Sequence, residues 1–62
     1  MKQFIVVQED ESTFNVFDRG DFNKDGWLIG YEGENGYNIE DFDITAEFDT
    51  FEEACDYADS LL

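Results

Sequence analysis

Apolar and polar positions along the chain fall into four extended runs followed by one helical run. Residues 3 to 8, Gln-Phe-Ile-Val-Val-Gln, are β-branched and aromatic and stop at the polar cluster Glu9-Asp10-Glu11-Ser12, the pattern of a strand and a turn. Residues 13 to 18, Thr-Phe-Asn-Val-Phe-Asp, form a second run. Residues 27 to 32, Trp-Leu-Ile-Gly-Tyr-Glu, form a third. It is entered through Asn23-Lys24-Asp25-Gly26, where glycine can supply the positive φ of a hairpin turn. Residues 42 to 49 alternate strictly, which predicts a half-buried strand with Phe42, Ile44, Ala46 and Phe48 inside and Asp43, Thr45, Glu47 and Asp49 outside.

Thr50-Phe51-Glu52-Glu53 then fits a capping box, in which hydroxyl and carboxylate satisfy the free N–H groups of a helix start. Phe51, Ala54, Cys55, Ala58, Leu61 and Leu62 recur at helical spacing, so the chain closes with an amphipathic helix of about three turns. The order β-β-β-β-α predicts an α+β fold: a small antiparallel sheet of three to four strands with one C-terminal amphipathic helix packed on one face. No repeat or linker divides residues 1–62, which read as a single compact domain. The first strand is apolar on both sides from Phe4 to Val7, so its outer side needs cover. A second copy of the chain could provide it, and the less charged N-terminal half would form that homodimer interface.

Composition narrows the function. The chain has 62 residues with 17 acidic and 3 basic side chains, a net charge of −14, no His and no Pro. So short a domain leaves little room for an enclosed catalytic cleft, and without His there is no plausible pairing of base and nucleophile. We expect no enzymatic activity. Direct binding to nucleic acid or an anionic membrane needs cations, and only Lys2, Arg19 and Lys24 are present. Any charged partner is therefore expected to be basic. Disorder is not expected despite the charge, because 42% of residues are hydrophobic and 18% aromatic. The single Cys55 permits no internal disulfide and reads as a small apolar residue of the helix. The run Phe4 to Val7 is too short for a signal peptide or a membrane span, so a cytoplasmic location is expected.

Charge is unevenly distributed. Up to Lys24 there are 5 acids and 3 bases; beyond it there are 12 acids and no base. Alternate residues on a strand face are roughly 7 Å apart and helix positions i and i+4 roughly 6 Å, so carboxylates at those spacings form rows. Asp43, Glu47 and Asp49 are expected to form one row, and Glu52, Glu53, Asp56 and Asp59 a second along the helix, with Glu40 and Asp41 leading into the strand. Such rows imitate the charge ladder of a nucleic-acid backbone. Surfaces shaped only for solubility intersperse both signs, because like charges destabilise the compact state. The rival reading is a solvated acidic skin of the halophilic kind.

In size, net charge, the acidic rows at 40 to 59 and the aromatic-rich α+β pattern, the chain resembles the small acidic DNA-mimic inhibitors of bacteriophages and other mobile elements. The resemblance is compositional and carries no diagnostic motif. It implies a non-catalytic protein that occupies the nucleic-acid site, or a regulatory surface, of a host restriction, CRISPR-type, transcription or repair complex. The resemblance spans unrelated folds and assigns no residues; from the charge rows themselves, Asp43, Glu47, Asp49, Glu52, Glu53, Asp56 and Asp59 are expected to stand in for phosphates. Tyr37, in the Gly-rich stretch, is the favoured aromatic anchor. A third possibility is an acidic accessory protein that blocks assembly of a basic partner without displacing nucleic acid.

A different class of function competes for residues 21 to 32. Asp21, Asn23, Asp25, Gly26, Trp27 and Glu32 match the ligand spacing of an EF-hand calcium loop: oxygens at positions 1, 3 and 5, a glycine at the bend, a carbonyl at 7 and a carboxylate at 12. The flanks fit poorly. Gly33-Glu34-Asn35-Gly36 is a poor start for the exiting helix, and Thr13 to Phe17 reads as a strand. Cofactor-free is the primary expectation, and calcium the alternative.

Overall fold

The computed structural model describes residues 1–62. The elements are β1 (Phe4–Gln8), β2 (Phe14–Asp18), β3 (Asp43–Phe48) and α1 (Phe51–Ser60), with short 3-10 turns at Arg19–Asp21 and Ile39–Asp41. The fold is α+β, as the pattern predicts. Three antiparallel strands in the order β2-β1-β3 make one sheet, so the first strand in sequence is the middle one in space.

That placement explains the missing alternation in β1. Ile5, Val6 and Val7 are all buried, and together with Ala54 and Ala58 they are the only buried residues in the chain. Residues opposite each other in an antiparallel pair share a face. Val6 lies opposite Val16 and Ala46, and Phe4 opposite Phe48. These side chains, with Phe14 and Tyr57, pack against Ala54 and Ala58 of α1. Ile5 lies opposite Phe17 and Glu47 on the other face, away from the helix.

The cover for that second face comes from the chain itself. Phe17 stacks on Phe42 at 5.1 Å, and Phe22 meets both edge-on, which lays the β2–β3 connection over the sheet. Ile5 is 0% exposed with no other molecule present. The reason for expecting a homodimer is thus met within one chain.

Two sequence expectations are corrected. Residues 27 to 32 form no strand: Trp27 and Leu28 make only single bridges, to Asn38 and Phe22. The Asn23–Gly26 turn does form, closed by Asn23 N–H donating to the Trp27 carbonyl at 2.8 Å, with Gly26 at φ +91°. The run then folds back, because Tyr31 N–H donates to the Leu28 carbonyl at 2.8 Å across Gly30 at φ +94°. The sheet accordingly has three strands, the lower end of the expected range.

The second correction concerns β3. Its register against β1 shifts between Val6 and Val7, so that Val6 faces Ala46 but Val7 faces Ile44. Thr45 is the extra residue of a bulge, and its hydroxyl donates to the Val6 carbonyl at 3.2 Å. Alternation is broken there. Ala46 and Phe48 face the helix, whereas Ile44 points to the opposite face with Val7.

Candidate functional site

Helix α1 begins where the capping box places it. The Thr50 hydroxyl accepts from the Glu53 N–H at 3.2 Å and donates to the Glu53 carboxylate at 2.9 Å. Ala54 and Ala58 turn inward, Cys55 and Tyr57 are half-buried, and Glu52, Glu53, Asp56, Asp59 and Ser60 are exposed. At about 100° per residue, Glu52, Asp56 and Asp59 lie within roughly 60° of one another around the axis, with Glu53 at the edge. No base stands in the last turn of the helix.

The strand row does not form as expected. Asp43 lies opposite Gln8 on the helix side of the sheet, whereas Glu47 lies opposite Ile5 on the other side, because the Thr45 bulge intervenes. Asp49 sits beyond β3 in the bend leading to Thr50. Glu47 is also neutralised locally by Arg19 in the single salt bridge of the molecule. Arg19 is further engaged with the Lys2 carbonyl at 2.7 Å. Asp43, Glu47 and Asp49 are therefore three separate exposed carboxylates, and Glu52, Glu53, Asp56 and Asp59 are the only predicted group that shares a surface.

Two of the four calcium-loop side chains, Asn23 and Glu32, are used by the turn. Asn23 Oδ1 accepts from the N–H groups of Asp25 at 2.9 Å and Trp27 at 3.0 Å, and Glu32 accepts from Gly30 N–H at 2.5 Å. Asp21, Asn23, Asp25 and Glu32 are preceded by β2 and the short 3-10 turn that ends at Asp21 and followed by a glycine-rich bend, with no α-helix on either side. No three carboxylate, thiol or imidazole groups are gathered in a way that could hold a metal ion. An open depression of about 290 Å³ lies nearby, bordered by Met1, Arg19, Lys24, Asp25 and Glu40 among others, and includes no residue of α1. No helix is long and apolar enough to cross a membrane.

Tyr37 is exposed, and it is not alone. Its ring lies 5.8 Å from that of Tyr31, a residue that strand-like patterning places in the sheet but the structure places beside Tyr37 in a loop. The signal available in the sequence was the repeat Gly30, Gly33, Gly36, which is incompatible with a ladder and marks a self-closed excursion. Comparison with protein-family models, curated proteins and solved structures finds no match to this chain.

Proposed function

We propose that this is a non-catalytic inhibitor that occupies the nucleic-acid site of a basic host protein, as mobile elements direct against restriction, CRISPR-type or transcription machinery. The observation that carries it is the outer face of α1. Glu52, Glu53, Asp56 and Asp59 are exposed there with no cation on the helix. Glu52, Asp56 and Asp59 span seven residue rises of about 1.5 Å, one charge per roughly 5 Å with Glu53 beside them, a row of the same order as the ~3.4 Å per charge along one strand of DNA. A basic groove that binds a phosphate ladder meets a similar line charge here, and long-range attraction speeds the encounter.

The experiment is capture of partners from a host lysate by the full chain at low and high salt, followed by competition of each captured protein with duplex DNA. The expected partner is basic, lost at high salt, displaced by DNA and lost to the triple variant Glu52→Lys, Asp56→Lys, Asp59→Lys. A partner that binds the chain and DNA together would instead establish the accessory-protein reading. Retained inhibition by the triple variant would remove α1 from the interface.

A further inference from the structure

The loop from Leu28 to Tyr37 is held in shape by its own hydrogen bonds. Leu28 N–H donates to the Tyr37 carbonyl at 2.9 Å, Tyr37 N–H to the Tyr31 carbonyl at 2.9 Å, and Gly36 N–H to the Gly33 carbonyl at 3.0 Å. Its packing is tight. A Cβ added to Gly36 would stand 1.8 Å from the Tyr31 carbonyl oxygen. Yet the loop adds nothing to the core, since every residue from Ile29 to Asn35 is exposed.

This ordered excursion holds out three large apolar side chains: Ile29 at 61% exposure, Tyr31 at 57% and Tyr37 at 53%. The tyrosine rings lie 5.8 Å apart and are inclined at 56°, a tilted aromatic pair on the surface. A cation within about 6 Å of a ring centroid is attracted by its π face. Glu32 and Glu34 lie between the two tyrosines in sequence and are exposed, and no base follows Lys24 anywhere in the chain. Charge decides the occupant. A second copy at −14 and an anionic nucleic acid are both repelled, whereas a cationic side chain is attracted by the exposed rings and by the net negative charge of the chain.

We infer that the Leu28–Tyr37 loop is a preformed docking surface whose Tyr31–Tyr37 pair receives an arginine side chain from a basic protein partner. The basic character of that partner rests on the function proposed above; the aromatic pair adds a second contact and a preference between cations. Arginine is favoured over lysine because its planar, weakly hydrated guanidinium stacks on aromatic faces. A loop already closed by its own hydrogen bonds loses less freedom on binding than an open one, which suits an interface anchor.

The test titrates the full chain with nona-arginine and nona-lysine peptides of equal charge, following affinity and the tyrosine ring resonances by NMR. The expected result is a preference of about two- to five-fold for nona-arginine, with shifts at the Tyr31 and Tyr37 rings. The preference should vanish in Tyr31→Ser/Tyr37→Ser and survive in Tyr31→Phe/Tyr37→Phe. Equal affinity for the two peptides, unmoved rings, or a preference that persists in the serine variant would overturn the inference, as would dimerisation of the chain through the tyrosines. The Glu52→Lys, Asp56→Lys, Asp59→Lys variant separates the two claims. It should weaken both peptides alike and leave their ratio unchanged, so unchanged affinity there would count against the acidic helix alone.

Discussion

At the scale of single residues, two positions do more than their exposure implies. Asp10 lies at the tip of the β1–β2 hairpin, where its carboxylate accepts from the Ser12 N–H at 2.9 Å. That bond first, and the Thr13 hydroxyl next, hold its pKa below the ordinary carboxyl value. The contribution to stability is therefore full above the ordinary value and fades as pH falls through the lowered one. Unfolding midpoints of the parent and of Asp10→Asn, measured from neutral to strongly acidic pH, should show the parent losing ground over that acidic window; parallel profiles would contradict it. Gly36 is the second position. Gly36→Ala should separate the Tyr31 and Tyr37 rings, seen as lost contacts between their ring protons. It should also shift the urea midpoint less than Ile5→Val does, for which a buried methylene predicts a loss of about 0.5–1.5 kcal/mol. The loop buries nothing from Ile29 to Asn35, whereas Ile5 is fully enclosed.

Among the elements, α1 carries both structural and proposed functional weight, and the two conflict at its end. Its last turn contains Asp59 and no base, although the helix dipole favours a cation there. Asp59 also lies three residues from Asp56, close enough for mutual repulsion. Asp59→Lys should therefore raise stability by roughly 0.3–1 kcal/mol while weakening capture of the basic partner. Thr50→Ala should lower stability by about 1 kcal/mol, because the Thr50 hydroxyl caps the Glu53 N–H at the helix start, with little direct effect on the acidic face. Thermal melts of the two variants beside the parent distinguish these signs. The helix, its cap and its acidic side were legible in the sequence because capping and periodicity are local properties. The bulge at Thr45 was not, since alternation records only a period of two and is blind to an inserted residue that reverses which face follows. The failed third strand has a similar origin. Trp27 to Tyr31 has strand-forming side chains, but a ladder partner must come from elsewhere in the fold, and the chain instead closes the turn through Gly30.

Over the whole molecule, the acidity that suits the proposed partner works against the fold. Five buried residues make a small core, and the chain's extents are only 33 × 24 × 16 Å. At 10 mM salt the Debye length is about 30 Å, so nearly every carboxylate feels every other; near 0.15 M it falls to about 8 Å and only neighbours interact. Arg19–Glu47 is the single ion pair set against this repulsion, and partly exposed pairs of that kind contribute about 0–1 kcal/mol. Screening therefore removes more repulsion than attraction within the chain. Between the chain and a basic partner it removes attraction. Raising NaCl from 10 mM to 500 mM should accordingly raise the melting temperature while weakening partner binding, two trends of opposite sign from one cause. A protein selected only for a solvated acidic skin would show the first trend without any partner to show the second. Thermal melts and capture assays across the same salt series discriminate the cases, and a melting temperature that falls with salt would mean that unrecognised ion pairs, rather than repulsion, dominate the surface.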